Sequence, residues 1–196
     1  MNQLNKILAA AAFLASLILY IMTMAPTTSF WDCGEFIASS VILGVPHPPG
    51  APLYLLLGNI FASLPTFSDI GARVNLISPI ASALSVMFLY LIIVCLIEEY
   101  RGTVKTLYDA IIIYGSAFTA AITFSASDSH WFNAVEAEVY SMSTFFTAIV
   151  VWLILHWSER AEEPGNERYI LIIAYMIGLA IGIHLLNLLT FPFIAM

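Results

Sequence analysis

Apolar residues along this chain come in long unbroken runs instead of alternating with polar ones, and such runs predict helices that cross a membrane. Five of them, at 7–24, 76–97, 107–124, 139–157 and 169–189, rise about 27 Å or more each at about 1.5 Å per residue. With their flanks they match a hydrocarbon core about 30 Å thick. The first run follows Lys6 and has Pro26 after Ala25, where a leader would be cleaved, so it reads as a retained anchor. A sixth run, 51–64, is too short for a comfortable span at about 21 Å and carries Asn59 within it.

The basic residues decide how that sixth run is placed, because basic loops stay on the cytoplasmic side. If 51–64 crosses, Lys6 and Arg73 are inside while Arg101, Lys105, Arg160 and Arg168 are outside. If it does not cross, all but Arg73 are inside, which is the better split. Residues 25–75 then form one large outer loop, and 51–64 is expected to be an interfacial or re-entrant helix entered through its proline cluster. The expected architecture is all-α: one polytopic transmembrane helical bundle over 1–196, of about five spans, with juxtamembrane helices in the first outer loop. The N-terminus is cytoplasmic, and the loop 125–138 shares the outer side with the first loop.

Composition agrees with a chain whose main solvent is lipid: 61% hydrophobic residues, 10% charged and a mean hydropathy of +0.92. Its net charge of -7, with the few bases scattered, excludes the basic stripe needed to bind nucleic acid. Two cysteines, Cys33 and Cys95, fall at opposite ends of the membrane region and make no disulfide framework.

In so uncharged a chain the polar residues of the outer side stand out. Asp32 and Glu35 lie at i and i+3 between Trp31 and Phe36, so a helix would place them on one edge beside interfacial aromatics. Such a pair can bind a divalent metal, position an acceptor hydroxyl or act as a general base, and it can equally be a helix cap. His47 sits among Pro46, Pro48 and Pro49, in a rigid turn or in a site. Arg73 breaks the charge rule, which suggests either an anionic partner such as a lipid phosphate or snorkelling to headgroups. Asp128, Glu136 and Glu138 read singly as solvated loop acids, and His184 with Asn187 as an interhelical hydrogen bond near the outer end of the fifth span.

Taken together, Trp31-Asp32-Cys33-Gly34-Glu35, His47-Pro48-Pro49-Gly50-Ala51-Pro52-Leu53-Tyr54, Arg73-Val74-Asn75, Ala137-Glu138-Val139-Tyr140 and Gly182-Ile183-His184-Leu185 resemble, in order and spacing, the N-terminal part of the DUF2723 family. That family includes TMEM260-type protein O-mannosyltransferases. The resemblance implies a GT-C type glycosyltransferase fold, a polyprenyl-phosphate-linked sugar donor and a protein or glycan hydroxyl acceptor. It also implies an integral, multi-pass location in a bacterial inner membrane or the ER membrane, with the active site extracytoplasmic. Asp32 and Glu35 would then be catalytic, with Asp32 the base, and would also be the ligands of any divalent metal. His47, Arg73, Glu138, Tyr140, His184 and Asn187 would bind substrate, Arg73 taking the lipid-linked phosphate. Members of the family run longer, so a chain stopping at Met196 is expected to be a fragment. The competing readings are a non-catalytic membrane subunit and a transporter. Against transport, the polar groups gather at loops and span ends, and the one in-span acid, Asp109, lies near a span's cytoplasmic end.

Overall fold

A computed structural model describes residues 3–190 of the chain. Its regular structure is helical throughout, with no strand among the described residues. The helices are α1 (Gln3–Thr23), α2 (Cys33–Ile42), α3 (Pro52–Ser63), α4 (Ile70–Asn75), α5 (Ile77–Arg101), α6 (Leu107–Ser125), α7 (Asp128–Ala134), α8 (Val139–Ser158) and α9 (Glu167–Ile181). A short 3-10 turn, Leu185–Thr190, follows α9. Four segments are long and apolar enough to cross a membrane: α1, the nearly continuous α4–α5, α6 and α8. The protein is a helical membrane bundle.

Helix α5 is the centre of the bundle, packed against α1 on one side and α8 on the other. Small residues let these helices approach closely: Ala9 and Ala12 on α1 and Ala117 and Ala121 on α6 are buried with Val86, Tyr90 and Val94 of α5. Between α5 and α8, the Ser82 hydroxyl donates to the Ser141 hydroxyl at 3.1 Å, so this pair is not left unsatisfied in an apolar seam.

The run at 169–189, expected to span, is divided. Helix α9 has 15 residues and stops at Ile181. The cause is a tertiary contact: the Leu53 amide at the start of α3 donates to the Gly182 carbonyl at 2.9 Å. A donor at the N-terminus of one helix thereby satisfies an acceptor at the C-terminus of another. The approach is close, since a Cβ on Gly182 would lie 3.3 Å from Leu53 Cβ and 3.2 Å from the Leu179 carbonyl oxygen.

Residues 25–75 fold into the three short helices α2, α3 and α4, which pack on one another and on the end of the bundle where α5 and α8 begin and α9 ends. Pro52 opens α3 at a position where its missing N–H leaves no bond unmade. The core under this cap joins Cys33 and Phe36 of α2, Tyr54 of α3, Val74 of α4, Met142 and Phe146 of α8 and Ala180 of α9. Tyr54 is wholly buried, with its ring edge-on to Phe36 at 5.3 Å. This cap ties the first loop to helices far along the chain, and the polar residues gather at its edge.

Candidate functional site

Asp32 occupies the N-cap position of α2, yet its carboxylate makes no capping hydrogen bond. The side chain instead lines a cavity of about 250 Å³ together with His47, Glu138, Tyr140, His184 and the Pro48–Ala51 turn. Phe36, Val139 and Ile183 supply its apolar wall. Five of the eight residues singled out in the sequence therefore meet at one place, drawn from the start of α2, the turn before α3, the start of α8 and the segment after α9.

Glu35 does not line the cavity; it fixes His47. Its carboxylate accepts the His47 backbone N–H at 2.7 Å and pairs with Nδ1 of the same residue at 2.7 Å. The i to i+3 spacing from Asp32 does put both acids at the start of α2, but the two have different tasks. The hydrogen bond from His47 holds the Glu35 carboxyl below its ordinary range, and the same bond raises the imidazole, favouring its charged form. The imidazole bordering the cavity is thus one whose charged form is favoured by its neighbour.

Glu138 is the N-cap residue of α8, again without a side-chain cap bond, and only 6% of it is exposed. Burial, followed by the negative charge of Asp32, pushes its carboxyl up to about 7. A carboxylate pair in which one member holds a proton near neutral pH is a means of accepting and passing protons. On the remaining side, the Tyr140 and His184 rings lie 5.3 Å apart at 50°.

Two expected site residues are elsewhere. The Arg73 guanidinium donates from Nε to the Phe67 carbonyl at 2.6 Å and from Nη1 to the Ala62 carbonyl at 3.2 Å. It closes the end of α3, and an anionic partner is not needed to explain its place outside the basic pattern. Asn187 is buried: its side chain donates to the Ala180 and His184 carbonyls and accepts from Ser143 and Thr147 of α8. The bond between Asn187 and His184 is a local one to the His184 backbone carbonyl, and the bonds between helices are those from Ser143 and Thr147. Their effect is to pin the segment carrying His184 onto α8.

The acids of the 125–138 loop divide in a way that their sequence does not announce. Asp128 is exposed as expected, whereas Glu136 is 2% exposed and its Oε1 has no hydrogen-bond partner. Glu136 and Glu138 therefore correct the expectation of solvated loop acids: the first loop folds over them and removes them from water. His130 is buried against Phe124 and Tyr20, and burial lowers it to about 4, so it is a neutral packing residue.

Asn75 went unnoticed as a site residue although it stood inside the Arg73-Val74-Asn75 element. It is wholly buried and bonded to the Ala25–Thr27 segment, to Cys33 at the start of α2 and to Ala137. A polar side chain at the very start of an apolar run was the signal that could have marked it.

One ligand atom each from Asp32, Glu35 and His47 falls within 4.8 Å of the others, a donor set that suits a divalent cation. Two of these groups are already engaged with each other through the 2.7 Å Glu35–His47 bond. A cation here would take the place of the proton in that bond.

Compared with known proteins, the chain matches over residues 32–196 the family described as the protein O-mannosyl-transferase TMEM260 N-terminal domain. It is 29% identical to protein O-mannosyl-transferase tmem260 of Dictyostelium discoideum, over 92% of this chain and 22% of that protein. It is 26% identical to protein O-mannosyl-transferase TMEM260 of Mus musculus, over 87% of this chain and 22% of the relative. The chain thus spans about a fifth of the length of these curated relatives. No solved structure matches it.

Proposed function

The chain belongs to the family of protein O-mannosyl-transferase TMEM260 N-terminal domains, and on that premise we propose that its cavity is part of the active site of a GT-C type membrane glycosyltransferase. The reaction moves a sugar, mannose by the name the relatives carry, from a polyprenyl-phosphate donor to a hydroxyl of a protein acceptor. The observation that carries this reading is the meeting of Asp32 and Glu138, from loops about a hundred residues apart, in one cavity beside His47.

A hydroxyl is a poor nucleophile near neutral pH, so it needs a positioned base as it attacks the anomeric carbon. Asp32 accepts its hydrogen bond, and Glu138, whose carboxyl is pushed up to about 7 by burial, is placed in the same cavity to take the proton on. As the new carbon–oxygen bond forms, the bond to the phosphate oxygen breaks and its electron pair leaves on the polyprenyl phosphate. His47, whose charged form the Glu35 bond favours, lines the same cavity and would meet that leaving charge, a role the sequence had suggested for Arg73. A single displacement inverts the anomeric centre. A divalent cation held by Asp32, Glu35 and His47 would supply positive charge at the same place. The charge split of the loops supports an extracytoplasmic cavity in a multi-pass protein.

The test is sugar transfer by the full-length protein from polyprenyl-phosphate sugars, comparing wild type with Asp32→Asn and Glu138→Gln. Transfer is expected to fall about 100-fold or more in each, and unchanged transfer in both would sink the assignment. Sidedness is read from cysteines placed at Ile60 and Asp128, which should label from the same face of the membrane.

A further inference from the structure

The Asn75 side chain sits where α4 runs into α5, and its amide is used to its full capacity. Its Nδ2 donates to the Ala25 carbonyl and to the Thr27 carbonyl, both at 2.9 Å. Its Oδ1 accepts the Ala137 backbone N–H at 3.0 Å and the Cys33 thiol at 3.7 Å. Two N–H groups and two lone pairs are all that a primary amide offers. Cys33 is the neighbour of Asp32, and Ala137 is the neighbour of Glu138. One buried side chain therefore touches the residue beside each cavity carboxylate.

The surroundings reinforce this point of attachment. The segment carrying Ala25 and Thr27 lies so close to α4 that a Cβ on Gly71 would come within 3.3 Å of the Thr27 carbonyl carbon and the Thr28 nitrogen. The Thr27 hydroxyl donates to Asp69 at 3.2 Å, and the same Asp69 caps α4 by accepting the Ala72 N–H at 3.1 Å. The Ala25 N–H donates to the Val135 carbonyl at 2.8 Å, which joins the two loops directly. Backbone bonds and Asn75, which is 0% exposed, thus tie the two loops together.

We propose that Asn75 is a positioning residue of the cavity: its amide holds the loop that carries Asp32 and the loop that carries Glu138 in one fixed register. It touches neither carboxylate and takes no part in bond making. Removing it loosens both loops at once, because the groups it satisfies belong to both and those at Cys33 and Ala137 are buried away from water.

The experiment uses the full-length protein in membranes or nanodiscs and compares Asn75→Ala with wild type and with Asn59→Ala. Asn59 is the control because its amide binds the Ser40 and Val41 carbonyls, joining α3 to α2 away from the cavity. Hydrogen exchange is expected to quicken about tenfold or more in Asn75→Ala in the two segments 24–32 and 134–139 together, and in Asn59→Ala only near 40–43. Where the protein transfers sugar, kcat of Asn75→Ala should fall about 100-fold, as for misplaced reacting groups, with KM changed far less. Wild-type exchange in either segment of Asn75→Ala, or the paired response in Asn59→Ala, would overturn the proposal. If Asn75→Ala is not recovered folded, Asn75→Ser, whose hydroxyl is too short to reach both loops, must give the same paired response. The kcat arm rests on the sugar-transfer reading: a wild type without transfer defeats that reading and leaves the exchange arm to decide this one.

Discussion

The two ends of the bundle handle their polar groups in opposite ways. At the cavity end the side chains bond across the chain: Asn75 to Ala25 and Ala137, 50 and 62 residues away, and Asn187 to Ser143, 44 residues away. At the far end most bonds are local. Thr106 and Asp109 form a capping box three residues apart, His156 pairs with Glu159 across one turn, and Asn166 holds the Arg160 carbonyl. The thiol of Cys95 donating to Glu159 is an exception that crosses 64 residues. Local bonds finish helix ends and would serve in any helical protein. Long-range bonds fix loops against each other, and a cavity with defined walls needs them.

Exchanging an acid at each end is the sharpest way to break that comparison. Asp32→Asn should reduce sugar transfer about 100-fold to 10,000-fold, whereas Asp109→Asn, which weakens an exposed capping box, should leave transfer near wild type and lower stability only slightly. Equal losses of transfer would erase the distinction. Next in size is a pH effect confined to the cavity end. Glu138 must shed its proton to serve as acceptor, so the rate should rise with pH up to about 7, and it should fall again at higher pH where His47 loses its proton. Below that point it should drop about tenfold per unit, and Glu138→Gln should flatten the rise within its residual activity.

Two stability comparisons are smaller. Asn187→Ala strands the Ser143 and Thr147 hydroxyls and two carbonyls, and thermal unfolding should report a loss of about 2–3 kcal/mol, against about 1 kcal/mol for Thr106→Ala. Gly182→Ala, which needs Leu53 to give by a few tenths of an ångström, should cost about 1 kcal/mol. It should also speed hydrogen exchange at the Leu53 amide, where a wild-type rate would show that the α3–α9 contact adapts freely.

How much of this was legible in the sequence follows from the range of the forces involved. Helices α1, α5, α6 and α8 were readable because a long apolar run has one stable form in lipid. The all-helical bundle followed from the same signal. The end of α9 was not readable, since the stop at Gly182 is made by the start of α3 more than a hundred residues earlier. The gathering of Asp32, His47, Glu138, Tyr140 and His184 was anticipated by assigning two loops to one side through the placement of six bases. What the spacing could not say was that Glu35 would be turned to His47, leaving Asp32 as the member of that pair at the cavity. Nor could it reveal that Glu136 and Glu138 are buried, because their desolvation is done by another loop. Arg73 looked like an anion site because a lone base in an outer loop invites a partner, and its actual partners are backbone carbonyls that sequence does not display.

The Asn75 contacts bear on how such a protein can be altered. With one amide shared between the loops at 25–32 and 134–139, neither loop is a separable part, and grafting one of them into a related bundle would leave unmatched donors or acceptors in the other. Exchanging this surface between relatives therefore calls for moving both loops and the start of α5 as one cassette, an inheritance unit discontinuous in sequence but contiguous in space.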